Sequence, residues 1–189
     1  MLFRSAQAGY ILLGLAASVN RDGTMHERGL QATAFYIFTY VFFNVGAFGV
    51  IILLRQKSVI GDEIDDLNGL ARRNPAAALC MLIFLLSLAG VPPTAGFMAK
   101  FLIIRSLIET GHAYLATAAA LFILPSAYYY FRMVAAMWVR EGGDPETLVI
   151  TAAQKWALIT MAFVTLVVGV FPERILQFAK YSIQTSFGL

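Results

Sequence analysis

Charge is scarce in this sequence. Asp, Glu, Lys and Arg together make up 13%, where soluble domains carry about 25%. There is a single cysteine, Cys80, inside an apolar run, so an intrachain disulfide and a thiolate zinc site are both excluded and the thiol reads as a small apolar filler. GxGxxG, a P-loop, a metal-ligand cluster and a nucleophile–base constellation are all missing. No basic run is dense enough for nucleic acid, since 14 Lys and Arg are spread against 11 Asp and Glu.

Apolar residues fill the gap. They reach 59% of the 189 residues, and the mean hydropathy is +0.73. Those values exclude a disordered tail, a coiled coil and a disulfide-rich secreted module. They argue against a soluble enzyme and point to the bilayer as solvent.

The charges cut the chain into membrane-length runs. Ala6–Val19 has 14 residues, short of the roughly 20 that cross about 30 Å of hydrocarbon. Between Arg28 and Arg55 lie 26 uncharged residues, and Asn74–Ala99 gives another 26 before Lys100. Thr110–Phe131 continues past Arg132 to Val139, and Trp156–Pro172 supplies 17 more. The expected fold is an all-α polytopic transmembrane helical bundle, one domain over 1–189. Its spans fall near 6–19 (partial), 30–54, 75–108 (broken near 90–96), 112–139 and 154–172. The tail after Glu173 is expected to form an interfacial helix with Ile175, Leu176, Phe178 and Ala179 as its apolar side.

The connections carry the polar residues. One holds Asn20, Asp22, Gly23 and His26; the next holds Asp62, Glu63, Asp65, Asp66, Arg72 and Arg73. Gly142, Gly143, Asp144 and Pro145 form a breaker cluster. Arg55, Lys57, Arg72, Arg73, Arg140 and Lys155 slightly outnumber Arg21, Arg28, Arg105, Arg174 and Lys180 on the other side. That bias expects the former group in the cytoplasm, with Trp138 and Trp156 as an aromatic belt. Met1–Ser5 runs at once into AQAGYILLGLAA, the back half of a span. MLFRS is therefore expected to be a library scar on a truncated reading frame and is set aside.

The chemistry is expected at the third run, LLSLAGVPPTAGFMAKFLIIRSL. Pro92 and Pro93 lack amide donors, and Gly90 and Gly96 flank them. A continuous helix cannot pass through them, and in hydrocarbon each freed backbone group needs a partner. Discontinuous helices of this kind form ion sites in transporters. Lys100 follows the break by one helical turn. An ammonium at the bilayer centre costs at least ~2.5 kcal/mol. Desolvation lets a lysine give up its proton, whereas arginine stays charged. The bland alternative is a lysine that snorkels to the interface. Against it stands length, because Asn74–Ile108 is 35 residues, too many for one straight span.

Other polar residues weigh less. Ser87 and Thr94 are placed to hold water near Lys100 or to bond freed carbonyls. Asn44, beside Gly46, Ala47 and Gly49, reads as an interhelical hydrogen bond or part of a water path. His26 and His112 read as structural, and Glu109 as the i,i+4 partner of Arg105. No metal-binding and no cofactor-binding residue is expected.

The strings GLARRNPAAALCMLIFLLSLAGVPPTAGFMAKF, SAQAGYILLGL, FNVGAFGVI and SAYYYFRMVAAMW resemble the antiporter-like membrane subunits of respiratory complex I, nearest the N-type subunits of bacterial NADH:quinone oxidoreductase. The resemblance runs from Ala6 to about Phe171. It implies a fold of about fourteen helices with two inverted repeats of five, of which this chain would be the tenth helix onward. Lys100 would match the lysine of the broken twelfth helix, which acts in proton release to the outer side. Another antiporter-like subunit has glutamate there. The family's buried glutamate and other channel lysines are not in this sequence, so the fragment alone is not expected to pump.

The implied function is a proton-translocating subunit of NADH:quinone oxidoreductase in the bacterial inner membrane. NADH, FMN, iron–sulfur clusters and quinone would sit in partner subunits, and this chain would touch other membrane subunits and lipid. The alternatives are the D-type member of a multisubunit monovalent cation/proton antiporter and a non-pumping structural membrane protein of the same complex.

Overall fold

A computed structural model describes residues 2–55, 64–141 and 151–187, with side chains for 7–54, 64–141 and 151–185. The Arg55 side chain and the expected loop residues Lys57, Asp62, Glu63, Gly142, Gly143, Asp144 and Pro145 lie outside what is described.

The described residues are helical apart from turns and one isolated bridge, Val19 to Met25. In chain order they form α1 (Leu2–Ala16), α2 (Glu27–Arg55), a 3-10 turn (Ile64–Leu67), α3 (Leu70–Arg73), α4 (Pro75–Ala89), α5 (Ala95–Glu109), α6 (Ala113–Trp138), α7 (Ala152–Val170) and α8 (Glu173–Phe187). Among the described residues, α2, α6 and α7 are long and apolar enough to cross a membrane. α4 and α5 have 15 residues each, about 22 Å of helix apiece, so each falls short of a span.

Local chemistry sets the ends. Asn74 caps α4, its side-chain oxygen accepting from the Ala77 N–H at 2.9 Å, and Pro75 fills the first helical position, where a donor is not needed. Thr151 and Gln154 bond each other's backbone N–H in a capping box, so α7 starts at Ala152, ahead of Trp156. α6 carries Pro125 inside and continues through it.

Two apolar cores stack end to end. One gathers Phe43, Ala47 and Val50 of α2 with Met81, Phe84 and Leu85 of α4. The other gathers Phe35 and Tyr36 of α2 with Ala99, Ile103 and Leu107 of α5. α2, α6 and α7 run through both, whereas α4 belongs to the first and α5 to the second. The break therefore marks the seam. Close approach depends on Gly46, where an added Cβ would enter the Phe84 ring.

Three of the four residues expected on the apolar side of the tail, Ile175, Leu176 and Ala179, pack against the bundle. Ala179 and Ile183 are the buried residues of α8, with Ile175 and Leu176 half-buried against the second core. Phe178 is 71% exposed. Contact with α2 fixes the helix's rotation, and Phe178 falls about 100° from Ala179.

Candidate functional site

α4 ends in the left-handed region at Gly90, with φ +83°, a conformation that costs glycine little. The Gly90 N–H donates to Leu86 and Ser87 carbonyls at 3.0 and 3.1 Å, and Val91 N–H to Leu86 O at 2.9 Å. That leaves the last two carbonyls of the helix, Leu88 and Ala89. Both accept from Lys100 Nζ, at 2.7 and 3.3 Å. The lysine thus completes the cap of a helix 11 and 12 residues upstream. It places its positive charge at the negative end of the α4 dipole.

Gly90 serves a second purpose. A Cβ there would stand 3.1 Å from Lys100 Cδ and 3.4 Å from Nζ, so the missing side chain is the room the lysine stem occupies. Lys100 is 4% exposed. None of the described ion pairs includes it. Carbonyl dipoles and an aromatic face hold the ammonium instead, the Tyr10 ring centroid lying 5.1 Å from Nζ. An amine held this way can take up and release one proton at Nζ. The protonated form makes the stronger, charge-assisted bonds to the helix end.

The start of α5 is tied back to α4. Ser87 Oγ accepts from the Gly96 N–H at 3.0 Å. An ideal Cβ at Gly96 would run into the Ser87 carbonyl, so the two half-helices touch backbone to backbone. Thr94 donates its hydroxyl to the Val91 carbonyl at 2.7 Å. Both hydroxyls are engaged by backbone at the break. Pro92 and Pro93 are exposed, and Pro93 presents its carbonyl to α7 at Gly169. Asn44 stays half-buried on α2, and the described hydrogen bonds do not bring it to Lys100.

Sequence reasoning missed the residues around the lysine that come from distant helices. Tyr10 donates its hydroxyl to the Ala119 carbonyl of α6 at 2.8 Å and stacks on Tyr36, centroids 5.9 Å apart. Tyr36 donates to Gln7 Oε1, and Gln7 Nε2 donates to Tyr130 at 3.4 Å. All four side chains are buried. One available signal was Gln7, a polar side chain in the apolar stretch of α1. Gly169 was also missed. An added Cβ there would strike the backbone of Pro93, Thr94 and Ala95, so α7 crosses the break in direct contact.

A second polar cluster closes the end where the α1–α2 and α5–α6 connections meet. Glu109 lies 2.9 Å from Arg105, 3.3 Å from Arg28 and 3.6 Å from His26. Partial burial pushes its carboxyl up. The Arg105 hydrogen bond and the charges of Arg105, Arg28 and His26 outweigh this and hold it below the usual range. His112 Nδ1 is 3.0 Å from the Thr110 hydroxyl, and Arg21 donates to the Gly111 carbonyl at 2.6 Å. These contacts clamp the two connections together.

Residues 5–124 match the family described as NADH:quinone oxidoreductase/Mrp antiporter, TM. The chain is 43% identical over 179 residues to NADH-quinone oxidoreductase subunit N 2 of Solibacter usitatus, covering 94% of this chain and 35% of that protein. It is 45% identical over 181 residues to subunit N 1 of Koribacter versatilis, covering 96% and 35%. The chain thus spans about a third of the length of the curated relatives it matches. Among solved structures, a chain of respiratory complex I from Thermus thermophilus superposes with a TM-score of 0.69 at 26% identity, covering 93% of this chain and 44% of that one. A chain of the Mrp complex from Dietzia sp. superposes at 0.74 with 18% identity, covering 95% and 40%, which shows the fold alone. The all-α bundle with its broken helix belongs to the NADH:quinone oxidoreductase/Mrp antiporter transmembrane family.

Proposed function

We propose that this chain is part of a proton-translocating membrane subunit of a bacterial NADH:quinone oxidoreductase, and that Lys100 is the group in it that carries the proton. The observation that carries the reading is the seat of Lys100: a 4% exposed amine bonded to the two free carbonyls of a broken helix. Taking up a proton tightens those bonds, and giving it up loosens them. Proton occupancy is thereby linked to the geometry of the break. Gly90, Pro92, Pro93 and Gly96 make the gap, and Ser87 and Thr94 fix its backbone.

In this reading the chain lies in the bacterial inner membrane among other membrane subunits of the complex. NADH, FMN, iron–sulfur clusters and quinone are held by partner subunits. The names of the relatives at 43% and 45% identity favour this reading over a cation/proton antiporter.

The test places Lys100→Met and Lys100→Arg in the full-length subunit within the assembled complex. Methionine keeps the stem and loses the charge; arginine keeps the charge and cannot release the proton. Both are expected to lower the protons pumped per electron in sealed vesicles. Unchanged pumping in both variants would leave Lys100 a structural cap.

A further inference from the structure

We propose that Tyr10 is a positioning residue for Lys100, its ring face holding the ammonium against the Leu88 and Ala89 carbonyls. This rests on the reading of Lys100 as the proton carrier. The carbonyls take two of the three ammonium hydrogens, at 2.7 and 3.3 Å. The Tyr10 ring centroid lies 5.1 Å from Nζ, within the range of a cation–π contact, and both side chains are buried. Water screens such a pair little, so the ring quadrupole acts at close to full strength.

The ring is itself held. Its hydroxyl donates to the Ala119 carbonyl at 2.8 Å, and its plane stacks on Tyr36 with an interplanar angle of 18°. Tyr36 is fully buried and anchored through Gln7. α1, α2 and α6 therefore converge to set the position of one aromatic face, while α4 supplies the opposing carbonyls. The amine has a negative surface on each side, and no carboxylate is among its described contacts.

The experiment separates ring charge from ring shape. Phenylalanine and mono-, di- and trifluorophenylalanine are placed at position 10 of the full-length subunit in the assembled complex. Fluorine drains the ring face of negative potential with little change in shape. Losing a desolvated contact of this kind weakens the hold on an ammonium roughly 10- to 30-fold. Measured against Tyr10→Phe, the proton-to-electron ratio should fall stepwise with each fluorine while complex assembly stays constant. A fluorotyrosine series, which keeps the hydroxyl, gives the same reading if Tyr10→Phe does not assemble. A flat response to fluorine, with Lys100→Met still defective, would overturn the role of Tyr10 alone. A flat response together with normal pumping in Lys100→Met and Lys100→Arg would overturn the function proposed for Lys100 as well.

Discussion

Replacing Ser87 with alanine deletes a side-chain acceptor that ties α4 to α5 across the break. The Gly96 N–H that loses its partner is an early amide of α5, and Thr94, at the cap position, makes no side-chain cap bond. Ser87 is fully buried. A donor stranded there carries its own desolvation cost, about 1–3 kcal/mol. Gly96→Ala attacks the same contact from the other side, because the new methyl runs into the Ser87 backbone carbonyl and also stands only 2.8 Å from its hydroxyl oxygen. Overpacking of this kind costs roughly 1–3 kcal/mol. The two changes should not add. Once the methyl has pushed the half-helices apart, the Ser87–Gly96 bond is already stretched, and the double variant should fall short of the sum by about 0.5 kcal/mol or more. The assay is denaturant unfolding of the full-length subunit in detergent. Wild-type stability for Ser87→Ala, or strict additivity in the double variant, would refute the clasp.

Asn74→Ala should lower stability by about 0.5–2 kcal/mol by uncapping α4, and Asn74→Asp should retain most of it; equal losses in the same unfolding assay would refute the cap. Glu109 gives an acid-side dependence. Its carboxyl sits below the usual range in the fold, so its contribution is complete above the unfolded value, near 4.3, and is lost as pH falls through the folded one. Each of its partly exposed ion pairs with Arg105 and Arg28 is worth about 0.2–1 kcal/mol. Glu109→Gln should flatten the acid end of the stability profile, measured by thermal unfolding from neutral to acid pH; an unchanged slope would refute the assignment.

The break and its lysine were legible because their cause is local. Pro92 and Pro93 cannot continue a helix, and the surrounding run is too long for one straight span. The role of Ser87 was half legible: a hydroxyl near freed backbone was expected, but its choice of Gly96 depends on two helices meeting edge to edge. Tyr10, Tyr36 and Tyr130 were not legible in these roles. An aromatic residue in an apolar helix looks alike whether it faces lipid or a lysine. Tyr128, 74% exposed, and Tyr130, 3% exposed, are two residues apart and differ only through tertiary packing. Glu109 showed its helical neighbour Arg105, whereas Arg28 and His26 arrive from another connection.

The seam between the two cores also has a mechanical meaning. α4 is bedded in one core and α5, with Lys100, in the other. Its 15 residues make α4 a lever about 22 Å long. A tilt of roughly 3° about its far end displaces the Leu88 carbonyl by about 1 Å, which takes a bond of ordinary length out of reach. The 2.7 Å contact from Lys100 thus acts as a gauge of the angle between the two halves of the bundle.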